Sequence, residues 1–422
     1  MRLQLAIALA AALAVPALSA GLAQAEDRAD FTTTWYQEQR NGNLGGLTVV
    51  HPQFNLATDV GEKTTLDMAY SADAVSGATA VVYSVDAVSS ATTFDDVRHV
   101  AEAGITFKGR RSSLSIGGSA GVERDYLSVT ASIAATVDMP GKNTQLALSY
   151  SHNFDEVCDF DNQMVTPLER KSLSLEDCKT KGVVTGVDTM GEAVWRDLSI
   201  DTAQSTITQN ISPTLVAQAS VFGQVLRGFQ SNPYRRVRVN GVEAQETVPD
   251  VRGRLAAMVR VNKYLTGLHG AMHGMARGYS DTWGVNSFTL GLGYSQYFGT
   301  SLLMRLQSRV YQQSEARFFK DAFFYDTEGP AGAFFTGDRE LGAIRNIITG
   351  AKLSYIKFNE DGSSVWGVFD EVDINLKADM YMLDELPSDP IEENRAGIDN
   401  QFLNSGNLLD AFGLMLGLRM SY

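Results

Sequence analysis

The stretch AFGLMLGLRMSY, residues Ala411 to Tyr422, alternates apolar side chains with small or polar ones up to its last residue. The apolar positions are Phe412, Leu414, Leu416, Leu418, Met420 and Tyr422. Successive side chains of a β-strand point to opposite faces of a sheet. One face of this segment is therefore continuously apolar, and it needs an apolar environment along its whole length.

The same alternation recurs along the chain. It is clear in TTLDMAYSAD (64–73), LSIGGSAGVE (114–123), TQLALSYSHNF (144–154) and EVDINLKADMYM (371–382). Each segment has about ten residues, the length with which a tilted strand crosses a bilayer. Helical spacing fits almost nowhere outside the first residues. The chain is therefore predicted to be all-β.

Short links of turn composition alternate with long polar links. DVGEK (59–63) and DMPGKN (138–143) are typical turns, whereas 155–196 and 314–337 are long and polar. We count about sixteen strands, an even number that puts both ends on the side of the short turns. The predicted strands are 30–40, 46–58, 63–74, 97–108, 113–123, 126–138, 143–155, 196–210, 214–228, 250–264, 267–279, 286–298, 302–314, 338–358, 365–382 and 408–422.

Aromatic residues gather beside the short turns, as in an interfacial girdle: Phe107, Tyr264, Tyr297, Phe298, Phe358, Trp366 and Tyr422. A sheet can cross hydrocarbon only if it closes on itself, because every backbone polar group must be paired. We therefore predict a transmembrane antiparallel up-and-down β-barrel with short periplasmic turns and long extracellular loops. The alternative is a large exported β-sandwich or propeller, which seldom alternates short and long links so regularly.

The first residues indicate export. One positive charge, an apolar run and the small residues AQA (23–25) precede an acidic pair, the pattern of a cleaved secretory signal peptide. A membrane anchor is the poorer alternative, because the run is short and interrupted by Pro16. The predicted division is a signal peptide at 1–25 and an outer-membrane barrel at 26–422.

The net charge limits which partners the protein can bind, and the cysteine content predicts a disulfide. The net charge of −14 argues against binding to nucleic acid or to acidic lipid head groups. The two cysteines, Cys158 and Cys178, lie in one polar stretch, and in an exported chain a disulfide is the expected state. We predict no cofactor and no metal.

Two segments resemble a known family. FQSNPYRRVRVNG (229–241) and YSDTWGVNSFTLGLGYSQYF (279–298) resemble a family of Gram-negative proteins described only as a domain of unknown function. The resemblance implies an outer-membrane barrel and no established binding residues. Members are encoded near exported thioredoxin-like and flavin-attachment proteins, which implies a possible periplasmic redox partner. The C-terminal alternation with its final aromatic also resembles the signal that the barrel assembly machinery recognises.

Charged residues fall on the face opposite the apolar one. We expect these to project into the lumen: Arg254, Arg260, Arg305, Arg309, Asp373, Lys377 and Asp379, with Asp67 and Glu102 on early strands. A cationic wall facing an acidic wall would order water and select polar solutes. The alternative is a lumen closed by salt bridges and a loop. Arg235, Arg236 and Arg238 are expected at the outer rim, at the mouth, against lipopolysaccharide phosphates or in a solvated hairpin.

Two histidine motifs, SHN (151–153) and HGAMH (269–273), contain residue types found in catalytic or metal sites. Neighbours on a strand face opposite sides, so His152 cannot join Ser151 and Asn153 in a lipase-like triad. His269 and His273 would be about 13 Å apart on a strand, too far for one metal. We predict a channel for small polar solutes and no enzyme. A non-conducting docking barrel for a periplasmic redox or export system is the second reading, and an enzymatic barrel the third.

Overall fold

The structure is a computed structural model that describes residues 27–38, 47–77, 94–161, 166, 169–171, 178, 193–239, 242–319, 334–358, 365–366, 368–386 and 411–422. The predicted signal peptide, residues 1–25, lies outside the described residues. Within the described part, no helix is both long enough and apolar enough to cross a membrane.

Sixteen antiparallel strands form one closed barrel. They are β1 (Arg28–Glu38), β2 (Thr48–Asp59), β3 (Thr64–Gly77), β4 (Phe94–Lys108), β5 (Ser112–Val122), β6 (Tyr126–Asp138), β7 (Thr144–Phe160), β8 (Ala193–Ser212), β9 (Leu215–Gly228), β12 (Val251–Leu265), β13 (Gly270–Asp281), β14 (Asn286–Phe298), β15 (Leu302–Gln313), β16 (Ile344–Phe358), β17 (Glu371–Glu385) and β18 (Ala411–Ser421). A separate hairpin, β10 (Arg236–Val239) and β11 (Val242–Gln245), lies between β9 and β12.

Each strand pairs with its neighbours in the chain, and the first strand pairs with the last. β1 pairs with β18 along all 11 residues, from Arg28 opposite Ser421 to Glu38 opposite Ala411. No backbone edge is left open in the sheet, as hydrocarbon requires. The predicted sixteen-stranded up-and-down barrel is confirmed.

The two ends of the barrel differ in their links. On the side of Asp27 and Tyr422, here the turn side, most links are short, such as 60–63, 213–214 and 299–301. On the other side, here the loop side, the links include the long segments 161–192, 229–250 and 314–343. This division follows the predicted alternation.

The outer face of the barrel carries an apolar belt. Leu353, Leu376 and Leu416 are directly opposed across β16, β17 and β18, and each is at least 47% exposed. On β16 the belt ends at Lys357 on the turn side and at Arg345, paired with Asp384, on the loop side. About twelve residues separate these ends, roughly 40 Å of strand and 30 Å of height at the usual tilt.

The last strand contributes fully to this belt. Phe412, Leu414, Leu416, Leu418, Met420 and Tyr422 all lie on the outward face of β18. Phe412 packs edge-on against Trp35 of β1, with 5.1 Å between ring centroids. The apolar face therefore continues across the closing pair of strands. Recognition of this face by the assembly machinery stays a prediction.

Two predicted strands begin too early. The strand predicted from 338 begins at Ile344, because Asp338 is buried by ion pairing and Arg339–Leu341 form a 3-10 turn. The strand predicted from 365 begins at Glu371, because Val365 pairs with Phe369 in a tight turn. The backbone at Trp366 has a φ of 53°, which ends regular pairing there.

Candidate functional site

The predicted lumen charges all lie on the inward face of the barrel. Arg254 and Arg260 alternate on β12 with the exposed Leu255 and Val259, and Arg305 and Arg309 alternate on β15 with Leu306 and Val310. Asp373, Lys377 and Asp379 alternate on β17 with Ile374, Leu376 and Met380.

One side of the lumen is strongly basic. It comprises Arg260 on β12, Arg277 on β13, Arg305 and Arg309 on β15, and Lys352 on β16, here called the arginine wall. Its four arginines are exposed to solvent although they point into a closed barrel. Within the part of the chain that the structure describes, none of the five forms an ion pair. Other lumen cations do, such as Arg252 with Asp281 at 2.5 Å.

The acidic side of the lumen lies across from this wall. Asp67 on β3 and Glu102 on β4, here the acidic wall, are exposed. β3 lies eight strands from β13 around the ring, and β4 eight from β14. These two carboxylates therefore face the centre of the arginine wall. The arrangement creates a transverse electric field across the lumen.

The carboxylates of β17 do not belong to the facing wall. β17 lies two strands from β15, so Asp373 and Asp379 stand beside the arginine wall. Asp379 pairs with Lys377 at 2.5 Å and accepts a hydrogen bond from Gln307 at 3.2 Å. The prediction that Asp373 and Asp379 face the arginines across the lumen is wrong. Alternation shows that a residue points inward, but it does not show how far apart two strands lie around the ring.

A chain of hydrogen bonds orients Arg305. The Arg305 Nε donates to Ser295 Oγ at 3.0 Å, and Ser295 Oγ lies 2.9 Å from His273 Nε2. His273 Nδ1 lies 2.8 Å from Asn262 Oδ1. Because the amide oxygen only accepts, Nδ1 donates to it, and Nε2 accepts the Ser295 hydroxyl proton. This series of hydrogen bonds engages the Nε of Arg305, so the two terminal nitrogens of the guanidinium point toward the lumen.

Glycine makes room for the contact between Gln307 and Asp379. Gly350 is the register partner of both residues, on the strand between them. A Cβ at Gly350 would lie 2.8 Å from the Ala378 carbonyl oxygen and would overlap the Asp379 carboxylate. Asp379 therefore reaches Gln307 only across a glycine.

Substituting Gly350→Ala should destabilise the barrel by about 1–3 kcal/mol, because overpacking forces backbone and side chain apart. The matched control is Gly274→Ala on β13, where a Cβ meets nothing within 4 Å. The measurement is the urea midpoint of reversible folding into lipid vesicles. Equal midpoints for the two variants would contradict the close approach at Gly350.

Part of the loop side folds into a packed unit over the inner face of the barrel. It comprises residues 229–239, 242–250, 282–285, 314–319 and 334–343, here called the cap. Its apolar core is formed by Val248, Trp283, Val285, Ala316, Phe319 and Leu341. Gln245 donates to Asp159 on β7 at 2.9 Å, and Thr247 pairs with Phe335. The cap therefore connects the β7 side of the ring with the loop between β15 and β16.

A buried ion triad holds the cap together. Arg235 lies 3.0 Å from Glu246 and 2.5 Å from Asp338, and the three side chains are at most 3% exposed. Thr336 Oγ1 donates to Glu246 at 2.6 Å. Burial raises the pKa of Asp338, but the charge and hydrogen bond of Arg235, together with the hydrogen bond from the Glu340 amide, oppose burial, and that pKa lies below its ordinary value. The rim roles weighed for Arg235 are therefore wrong.

The predicted disulfide is confirmed. Cys158, near the end of β7, is bonded to Cys178 in the following loop, with 6.3 Å between Cα atoms. Both residues are buried, and Phe160, Trp195 and Tyr234 pack against them. Tyr234 precedes β10, so the disulfide is adjacent to the cap.

His152, His269 and His273 do not form the triad or the metal pair considered from the sequence. His152 faces outward and lies 2.8 Å from Asp201, away from Ser151 and Asn153. His273 is engaged inside the lumen, while His269 lies in a turn with a φ of 50°. In the described ranges, no group of three or more metal-binding side chains is present.

Sequence reasoning missed several lumen residues. Arg277 and Lys352 alternate with outward residues as Arg305 does, so the same period-two rule could have found them. His273 was judged only by its spacing from His269. The link from His273 through Ser295 to Arg305 joins three strands, and no local pattern shows it.

Comparison with known proteins identifies the family of this chain. A family model described as "Protein of unknown function (DUF3570)" matches residues 4–384. The chain belongs to this family. The resemblance drawn from its sequence motifs is thereby confirmed, and no curated protein matches the chain.

Solved barrels from other families are distantly similar. CdiB from Acinetobacter baumannii is 8% identical with a TM-score of 0.48, over 95% of this chain and 61% of that one. OccK2 (OpdF) from Pseudomonas aeruginosa, solved with glucuronate, is 8% identical with a TM-score of 0.42, over 94% and 98%. The siderophore receptor PirA from Pseudomonas aeruginosa is 8% identical with a TM-score of 0.39, over 86% and 57%. The chain thus spans about three fifths of the length of PirA and of CdiB. Likeness of this size does not carry function from one barrel to another.

Proposed function

We propose that this protein is an outer-membrane channel through which small polar solutes pass. The observation that carries the proposal is the solvent exposure of Arg260, Arg277, Arg305 and Arg309 inside a closed barrel, at the depth of the apolar belt. Arginines in a dry, filled interior would need carboxylate partners, and these four have none among the described residues. Barrels of about sixteen strands commonly enclose water.

The outer face supports the membrane assignment. Its apolar belt has roughly the height of an outer-membrane core, and large side chains such as Leu292 are up to 71% exposed on it. We assign the turn side to the periplasm and the loop side to the exterior. Membrane lipid and lipopolysaccharide then surround the belt, and the outward face of β18 is the segment offered to the barrel assembly machinery.

The test is conductance of the refolded protein in planar lipid bilayers. Stable ohmic steps are expected, and Arg260→Ala or Arg305→Ala should alter their size because each removes a lumen charge. The matched control is Lys357→Ala, an outward charge at the turn end of β16, which should leave the steps unchanged. Complete silence of protein that still migrates in the heat-modifiable way of a folded barrel would overturn the channel.

A second candidate is a non-conducting barrel that docks a partner, such as a periplasmic redox or export protein. The cap favours it, because a packed core and a buried ion triad lie over one end of the lumen. Binding of a periplasmic thioredoxin-like protein to silent, folded barrels would support this reading. We propose no enzymatic activity, since the side chains of Ser151 and His152 point to opposite faces.

A further inference from the structure

We propose that the arginine wall binds and selects small anions, so that the solutes are carboxylates or phosphates rather than neutral or cationic molecules. This inference rests on the proposed channel function and names its solute class. It concerns one strip of the lumen, from Arg277 near the loop side to Arg305 and Lys352 near the middle of the apolar belt.

The cations are arranged at successive levels. Arg260 is opposite Met275, Met275 is opposite Gly291, and Gly291 is opposite Arg309, so the two arginines lie in one row that crosses β12 to β15. Arg277 lies in the next row toward the loop side, opposite Thr289, which is opposite Tyr311. Arg305 and Lys352 are direct partners in a lower row. Arg309 and Arg305 are four residues apart, about 13 Å along the strand. An anion leaving one level therefore finds another cation within about 13 Å along the strand.

Of the three levels, the one nearest the turn side places two cations side by side. Like charges directly opposite each other on neighbouring strands are destabilising, and Arg305 and Lys352 stand in that relation. Neither forms an ion pair with any described residue, although Asp379 nearby is engaged by Lys377 at 2.5 Å. A bound anion between the two cations would turn this repulsion into attraction.

The guanidinium of Arg305 is held in a fixed orientation. Its Nε is used by Ser295, which in turn is held by His273 and Asn262. The remaining fork of two terminal nitrogens matches the two oxygens of a carboxylate or phosphate. Ser295 is only 6% exposed, so the serine supports the arginine from behind and does not itself contact the solute.

The opposite side of the lumen repels the same solutes. Asp67 and Glu102 are exposed and face the middle of the arginine wall. An anion is therefore repelled by the acidic wall and attracted by the arginine wall. A cation would instead be attracted to the acidic wall, which consists of two carboxylates. The favoured path for anions runs along the basic strip.

The experiment measures ion selectivity and block of single channels. In a potassium chloride gradient, the wild-type reversal potential should have the sign of anion preference. Potassium gluconate and inorganic phosphate, added separately, should interrupt the chloride current, which distinguishes carboxylates from phosphates. The double variant Arg305→Gln/Lys352→Gln should raise the blocking concentration about tenfold or more, because charged hydrogen bonds are lost.

Two further variants separate charge from orientation. Ser295→Ala keeps every charge, so the reversal potential should stay while the blocking concentration rises. Asp67→Asn/Glu102→Gln should strengthen anion preference. Conducting channels with cation preference, or with block unaffected by the double variant, would overturn this inference and leave the channel standing. Folded protein that never conducts would overturn both.

Discussion

Leu306→Arg is expected to destabilise the folded barrel by about 2–4 kcal/mol, the cost of an arginine at the bilayer midplane on a lipid-facing strand position. Leu306 is 46% exposed on the outer face of β15. Its register partner is Ala351, which lies midway between Arg345 and Lys357, the polar ends of the belt on β16. Position 306 is therefore at the centre of the hydrocarbon, where a long cationic side chain reaches neither interface.

The matched control is the next residue, Gln307→Arg. Gln307 faces the lumen and contacts Asp379, so an arginine there enters water and can pair with a carboxylate. The urea midpoint of folding into vesicles should fall for Leu306→Arg and stay nearly unchanged for Gln307→Arg. The reverse order would mean that the faces are assigned the wrong way round and that the arginine wall lies outside.

Arg235→Met should open the cap without unfolding the barrel. The substitution leaves Glu246 and Asp338 buried without a cation, and breaking a buried pair typically costs about 3–5 kcal/mol. The opening equilibrium of the cap should therefore rise by about a hundredfold or more. The measurement is the rate of limited proteolysis of the loops in protein that keeps its heat-modifiable migration.

Two variants control this experiment. Arg345→Ala removes an exposed pair with Asp384 on the outer face, for which a cost of about 0–1 kcal/mol is usual. The triple variant Arg235→Met/Glu246→Gln/Asp338→Asn should recover part of the protection, since no charge stays buried and unpaired. Proteolysis of Arg235→Met at the wild-type rate would show that the triad does not hold the cap.

The triad also sets a pH window for the cap. Because the folded pKa of Asp338 is lowered, its pairing stabilises the cap above the ordinary aspartate pKa of about 4. That contribution is lost as the pH falls through the lowered value. Glu340 acts in the opposite direction, because burial beside Asp338 raises the pKa of Glu340 to about 8, and its contribution therefore weakens the cap as the pH rises from about 5 to about 8. The resistance of the loops to proteolysis should accordingly be greatest at about pH 5, and the Arg235→Met variant should not show the decline at lower pH.

The barrel could be predicted because its determinants are local. Each strand of the sheet is specified by alternation and by turn residues within a few positions, as in residues 138–143 and 411–422. The inward direction of Arg305 and Asp379 follows from the same alternation. Most predicted strand ends agree with the structure to within a few residues, because alternation and turn residues each locate a strand end only to within a few positions.

The cap could not be predicted because its determinants are distant in sequence. The sequence around Arg235 predicted a rim or solvated cation, whereas the side chain is buried between Glu246 and Asp338, the latter about a hundred residues later. The positions of the lumen carboxylates relative to the arginine wall could not be predicted either. Asp379 and Asp67 are both inward carboxylates, and their different relations to the arginine wall arise from the order of strands around the closed ring.

Pairing between β1 and β18 has a consequence for biogenesis. All 11 residues of β1 find their partners on β18, which follows the other barrel strands in chain order, and the Tyr422 amide donates to the Asp27 carbonyl at 2.9 Å. Until β1 and β18 have paired, the sheet has two unpaired edges whose amides and carbonyls can recruit other chains. A catalyst that shielded these edges would have to stay bound until β18 paired with β1, so ring closure and release of the catalyst would be one event.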